Sequence, residues 1–145
     1  MMLSFEELKE LVFTLGRKIG LEDDSKLYPM FSKRAVPFGE GGTVYIANNK
    51  YHYVVQDHGR TGEQYESTDV NDILYPVFKD IVWPMSVASE KKYFSDDVDF
   101  RRLFLKKQLE LLEVVNPDFA AKYLKEIKVV LKDHPFDDGK GKDLF

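Results

Sequence analysis

The sequence contains no cysteine, which excludes disulfide bonds and metal sites built from thiolates. Its three histidines, His52, His58 and His134, do not have the spacing of a metal-binding motif such as HExxH. The nucleophile motif GxSxG and the phosphate-binding motifs GxGxxG and GxxxxGKS/T are also absent. We therefore predict no catalytic residue, no metal ligand and no cofactor.

Long apolar runs are absent as well, because none approaches the ~18–20 residues of a membrane-spanning helix. The first seven residues lack the basic and apolar segments of a signal peptide, so we expect a cytoplasmic protein that does not bind membranes. Acidic residues exceed basic ones only slightly, by 25 to 21. The net charge of −4 argues against direct nucleic-acid binding, which needs a basic surface.

What is present is typical of a globular protein: 145 residues, of which 43% are hydrophobic and 32% are charged. This length predicts a single α+β domain, which we place at residues 1–136. Residues 137–145 are rich in glycine and charge and predict a flexible C-terminal tail.

The first element of that domain is an amphipathic helix. Ser4 and Glu7 have the spacing of a capping box, and Gly20 is suited to the left-handed conformation that ends many helices. Residues 21–42 have no period, because prolines and glycines interrupt them. The aromatic residues within 28–42 predict an ordered loop held to the core, and we favour a lid over a functional loop.

Strand patterns occur only in residues 43–67 and predict a three-stranded antiparallel meander. Asn48-Asn49 fits a two-residue turn that pairs Ile46 with Tyr51. The core face would then carry Val44, Ile46, Tyr51, Tyr53 and Val55. The opposite face would carry Tyr45, His52, Val54 and Tyr65, and either faces solvent or is covered by a helix.

A C-terminal helical layer follows. We predict a helix from about Val70 to Trp83, bent at Pro76 on its polar side, and a new segment that begins at Pro84. The residues 95–99 cap a third helix, and a fourth follows so closely that the two must form a helical hairpin. We expect four basic residues of the third helix to form one solvated edge: Arg101, Arg102, Lys106 and Lys107.

Two features remain as candidates for function. His58 lies beside Asp57 in a turn and, with Glu63, suggests two alternatives, a proton-transfer site or a solvated turn, of which we favour the solvated turn. Aromatic residues on rigid strands are typical anchors of protein interfaces. We therefore predict a partner-binding surface on the sheet and its hairpin ends, formed by Tyr45, His52, Asp57, His58, Glu63 and Tyr65.

The order and spacing of several short motifs resemble the immunity protein 63 family. They comprise Tyr51-His52-Tyr53-Val54, Gly59-Arg60, Glu66-Ser67-Thr68, Leu74-Tyr75, Phe100-Arg101-Arg102, Lys107 to Leu112, Asn116-Pro117 and His134-Pro135-Phe136. The resemblance covers about two thirds of the chain and departs from the family at Pro76 and at residues 38–42. It implies a small cytoplasmic protein, encoded beside a bacterial polymorphic toxin of LXG or similar type, that binds and neutralises that toxin. It implies no particular functional residue.

Three hypotheses follow from the sequence. The favoured one is an immunity protein that binds a toxin as its partner, without catalysis. The second is a small cytosolic ligand-binding protein or enzyme with a pocket between the sheet and the loop at residues 28–42. The third is a structural or regulatory interaction module unrelated to toxins.

Overall fold

The computed structural model describes residues 2–34 and 40–140. Within these residues four helices and four strands follow one another: α1 Phe5–Lys18, β1 Met30–Phe31, β2 Gly41–Ala47, β3 Lys50–Asp57, β4 Arg60–Ser67, α2 Asn71–Glu90, α3 Phe100–Val115 and α4 Pro117–Asp133. A short 3₁₀ turn, Lys91–Tyr93, follows α2. The predicted α+β class, with an N-terminal helix, an antiparallel meander and a C-terminal helical hairpin, is confirmed. The chain divides into two compact units at Phe78, and the single domain over residues 1–136 stays a prediction.

Helix α1 begins and ends at the predicted signals. The Glu7 N–H donates to Ser4 Oγ over 3.1 Å, and the Ser4 N–H donates to Glu7 Oε1 over 2.9 Å, which completes the capping box. At the other end Gly20 has a φ of +89°, and the Leu21 N–H donates to the Gly16 carbonyl over 3.0 Å. The Gly20 N–H also donates to the Arg17 carbonyl over 3.1 Å. The two bonds form a Schellman motif and satisfy carbonyls that the helix leaves free.

Aromatic rings hold the segment after α1 against this helix. The Phe13 ring lies edge-on to Tyr28 at 4.9 Å and to Phe31 at 5.7 Å between centroids. Gly16 is buried directly under Tyr28, so a Cβ at Gly16 would overlap the tyrosine ring. The predicted attachment of this segment by aromatics is therefore observed as far as residue 34. Residues 35–39 of the predicted loop lie outside the described residues.

Gly16→Ala is expected to destabilise the protein, although alanine ordinarily stabilises a helix interior by about 1 kcal/mol relative to glycine. The new methyl group must displace the Tyr28 ring from its contact with Phe13. Urea denaturation followed by circular dichroism measures the effect, with Thr14→Ala at an exposed position of the same helix as the control. A Gly16→Ala variant as stable as Thr14→Ala would contradict the close packing.

The sheet has the order β1-β2-β3-β4. Asn48 and Asn49 both have positive φ, 54° and 59°, and the predicted pairing of Ile46 with Tyr51 is confirmed. The predicted number of strands is wrong by one, because β1 pairs in parallel with the start of β2. A two-residue strand has too few positions to show an alternating pattern, so no periodic signal predicts it.

A β-bulge places Tyr65 on the other face from the one that we predicted. Below the bulge Gln56 pairs with Thr61, whereas above it Val54 pairs with Gln64, so two residues of β4 oppose one residue of β3. This slip of one residue turns Tyr65 to the face of its partner Tyr53, and their rings stack at 6.1 Å. Without it, Tyr65 would lie opposite His52 as predicted.

Both faces of the sheet contain buried residues. Val44, Tyr51 and Tyr53 are buried on the predicted core face, as expected. On the other face Tyr45 is 9% exposed and Val54 is 5% exposed. Of the two alternatives for this face, the covered one is therefore correct at Tyr45 and Val54, and the solvent-facing one is wrong there.

Helix α2 continues through Trp83 and Pro84, so the predicted break is wrong. Pro76 is buried with its neighbours and is not on a polar side. Each proline lacks one backbone donor, but its fixed φ is compatible with a helix. The run Ile73–Phe78 around Pro76 is buried on every side of the helix, and burial of this apolar surface offsets the hydrogen bond lost at Pro76.

Helices α3 and α4 form the predicted hairpin with one residue between them. Asn116 donates its N–H to the Leu112 carbonyl over 2.8 Å, which caps α3, and its Oδ1 accepts from the Asp118 N–H over 2.9 Å, which caps α4. Along the hairpin, Gln108 of α3 accepts a hydrogen bond from Tyr123 of α4. The two helices therefore run antiparallel.

Candidate partner-binding surfaces

The end of the β3–β4 hairpin is exposed from Asp57 to Gln64. His58 and Gly59 form its turn with positive φ, 51° and 76°. The His58 N–H donates to Glu40 Oε2 over 3.2 Å, and its imidazole lies 3.4 Å from the Asp57 carboxylate. Strand pairing thus holds a solvated turn at which acidic side chains project.

The two sides of that hairpin carry different pairs of predicted site residues. The Tyr65 hydroxyl donates a hydrogen bond to Glu63 Oε2 over 2.9 Å, and the two side chains share the face of Tyr53. His58 contacts Asp57 and is 92% exposed. A proton-transfer site would need these groups in one partly desolvated cluster, whereas the structure forms two separate solvated pairs.

Tyr45 and His52 lie on the opposite face and bind each other. Their rings stack at 4.7 Å with an angle of 5° between planes. His52 Nε2 lies 3.0 Å from the Ala47 carbonyl, and Nδ1 lies 3.8 Å from the Glu66 carboxylate. Because Tyr45 is only 9% exposed, it is a structural part of the sheet and not the exposed anchor that we expected.

The Lys79–Phe145 unit has an exposed aromatic cluster that sequence reasoning missed. Trp83, Phe94 and Phe100 each contact the ring of Phe104, at 5.4, 4.9 and 5.4 Å between centroids. Phe104 is buried, whereas the other three are 49%, 46% and 50% exposed. The helical pattern assigned Phe100 to the core because it lies one turn from Phe104, and a one-dimensional pattern does not show where the core ends.

A cavity of about 360 Å³ opens beside this aromatic cluster. Two phenylalanine rings and three carboxylates line it, and its lining residues are Phe94, Ser95, Asp96, Val98, Asp99, Phe100 and Asp137. None of these seven side chains is basic. Asp96 is exposed and makes no ion pair within the described residues, so the mouth of the cavity is negatively charged.

Two arginines hold the acids at the base of this region. Arg101 Nη2 lies 2.7 Å from Asp99 Oδ2, and Arg102 Nε lies 2.7 Å from Asp138 Oδ2. The Arg101 guanidinium holds the pKa of Asp99 at about 2, and Arg102 lowers the pKa of Asp138 in the same way. The expectation of a solvated edge is therefore wrong for Arg101 and Arg102.

The same ion pairs attach the segment after α4 to the start of α3. Arg101 also donates to the carbonyls of His134 and Pro135, each over 2.7 Å, and the Asp138 side chain is only 1% exposed. Asp138 belongs to the segment that we predicted to be a flexible tail, of which the structure describes residues 137–140. Residues 141–145 lie outside the described residues.

Within residues 2–34 and 40–140, no three His, Cys, Asp or Glu side chains are grouped in a way that would hold a metal ion. The helices of the same ranges are too short or too polar to cross a membrane.

Comparison with known proteins identifies the family. No curated protein and no solved structure matches the chain. The sequence model of the family named immunity protein 63 matches residues 47–129, which is more than half of the 145 residues. The match extends from the β2–β3 turn through the hairpin, α2 and α3 into α4. On this evidence the chain belongs to the immunity protein 63 family.

Proposed function

We propose that this protein is a bacterial immunity protein that binds and neutralises a polymorphic toxin by protein–protein contact, without catalysis. The family match over residues 47–129 is the observation that carries this proposal. The toxin is expected to be encoded beside the immunity protein and to be bound in the cytoplasm.

We place one contact surface at the end of the β3–β4 hairpin. Asp57, Glu63 and Glu40 bring three carboxylates to this end of the sheet, where every residue from 57 to 64 is exposed. Acidic side chains on paired strands suit a basic toxin surface, because complementary charge speeds association and fixes orientation. His58 and the Tyr65 hydroxyl add polar contacts, while the stacked Tyr45 and His52 rings support the strands.

The double variant Asp57→Ala/Glu63→Ala is expected to bind the toxin domain of the adjacent reading frame at least tenfold more weakly than the unchanged protein. Isothermal calorimetry measures the affinity after circular dichroism has confirmed folding. Glu22→Ala/Asp24→Ala is the matched control, because it removes the same charge from exposed positions in the same unit.

The two possible failures have different meanings. If both double variants bind the toxin domain equally weakly, the cause is net charge. That result would contradict the contact surface at the hairpin but not the immunity function. If the unchanged protein neither binds the toxin domain nor restores growth of cells that express it, the immunity function itself is wrong. The ligand-binding hypothesis would then take its place.

A further inference from the structure

We infer that the aromatic cluster and its cavity form a second toxin-binding surface, whose occupant is an arginine side chain presented by the toxin. This inference rests on the proposed immunity function. It assigns the chemistry of a contact in the Lys79–Phe145 unit, independently of the β3–β4 hairpin.

Exposed aromatic area is the first reason. Trp83, Phe94 and Phe100 each leave about half of their surface in water while they converge on the buried Phe104 ring. Contiguous exposed apolar surface of this kind is uncommon away from interaction sites. Tryptophan and other aromatic side chains held by a rigid support are also the usual anchors of protein interfaces.

The charge of the cavity selects the occupant. Phe94 and Phe100 present ring surfaces at 6.1 Å between centroids, and Asp96 and Asp137 place carboxylates at the rim. Aromatic faces attract cations, and carboxylates pair with them, so both kinds of wall favour a positive group and disfavour a negative one. Asp99, at the base, is paired with Arg101, and the charge of Asp137 also acts on that guanidinium. This leaves Asp96, which makes no ion pair among the described residues, as the carboxylate most open to a partner.

Arginine fits these walls better than lysine does. Its guanidinium is planar, stacks on aromatic rings and binds a carboxylate through two parallel N–H donors. A cavity of about 360 Å³ is within the range of pockets that enclose a ligand group. The apolar stem of arginine would lie along the exposed rings while its charged end reaches Asp96.

The first experiment needs no toxin. N-acetyl-arginine-methylamide and its neutral isostere N-acetyl-citrulline-methylamide are titrated into the isotope-labelled full chain, and amide shifts are followed by NMR. We expect shifts at residues 94–100 and binding of the arginine compound about threefold to tenfold tighter than that of citrulline. Asp96→Asn should abolish this preference. Asp97→Asn, an equal charge change at a neighbour that does not line the cavity, should retain it.

The second experiment uses the toxin domain of the adjacent reading frame. Asp96→Asn/Phe100→Ala is expected to weaken toxin binding at least tenfold, whereas Asp97→Asn/Val129→Ala, which changes exposed residues outside the cluster, should bind as the unchanged protein does. Phe100→Leu keeps apolar bulk without a ring. It provides a folded variant for the same measurement if the alanine variant fails to fold.

This inference is overturned by equal binding of arginine and citrulline, by shifts that map elsewhere, or by unchanged toxin affinity in the cavity variants. If sedimentation shows a dimer that these variants dissociate, the occupant is a second copy and the arginine assignment is wrong. When the unchanged protein binds arginine with the stated preference but no toxin, the proposed function fails while the cation site stands.

Discussion

Leu112→Ala is expected to lower the free energy of unfolding by about 2–5 kcal/mol, and Phe104→Ala by a similar amount. Leu112 has no exposed surface, and Phe104 is 5% exposed beneath three other aromatic rings. Truncation at either position removes apolar contacts and leaves a cavity in the close-packed interior of the α3–α4 hairpin.

Chemical denaturation at pH 7, followed by far-ultraviolet circular dichroism, measures both losses. Val114→Ala is the control on the same helix, because Val114 is 51% exposed and its truncation should change stability by less than about 0.5 kcal/mol. Losses below about 1 kcal/mol for both Leu112→Ala and Phe104→Ala would mean that α3 is peripheral to the core.

Arg102→Met is expected to cause the second large loss of stability. Its guanidinium compensates Asp138, whose side chain is 1% exposed, and methionine would leave that carboxylate buried without a cation. The loss at pH 7 should exceed that of Lys50→Met. Lys50 pairs with Glu66 at the surface, where both side chains are about half exposed or more.

The same ion pairs determine how stability depends on acid. Hydrogen bonds from arginine hold the pKa of Asp99 at about 2, below its ordinary value of 3.8, and the pKa of Asp138 is lowered too. A carboxylate with a depressed folded-state pKa stabilises the protein above its unfolded-state pKa and loses that contribution as the pH falls through the folded-state value. Stability should therefore fall between about pH 4 and pH 2.

Asp99→Asn and Asp138→Asn should each flatten this fall, while Asp97→Asn, which carries no ion pair in the described part of the chain, should leave it unchanged. Urea denaturation at a series of pH values between 2 and 7 supplies the measurement. An equally steep fall in all three variants would show that other carboxylates cause the acid sensitivity.

Local signals in the sequence predicted most of the fold. The Ser4 capping box, Gly20, the Asn48-Asn49 turn and Asn116 each act through bonds to residues at most five positions away, so their effects are visible in the sequence. The predictions were wrong where strand register or the surroundings of an element, and not its local sequence, determine the structure. The β3–β4 bulge reversed the face of Tyr65, and α2 continues through Pro84 to Glu90.

The candidate surfaces were predicted less completely for the same reason. Asp57, His58 and Glu63 lie at the end of the β3–β4 hairpin and are exposed as expected. Tyr45 was expected at the surface because strand alternation gives a face but not what covers it. The aromatic cluster and the Arg102–Asp138 pair join residues far apart in sequence, and no periodic pattern predicts such a meeting.

Asn116 is the single residue between α3 and α4 and caps both helices, so the length of this junction is as constrained as the identity of its residue. Each residue of an α-helix turns the following side chains by about 100° around its axis. One residue inserted after Asn116 would therefore move Phe119 and Ile127, both buried on α4, away from α3 or force the cap to open. Insertions and deletions that surface loops elsewhere tolerate should therefore destabilise the protein at this junction.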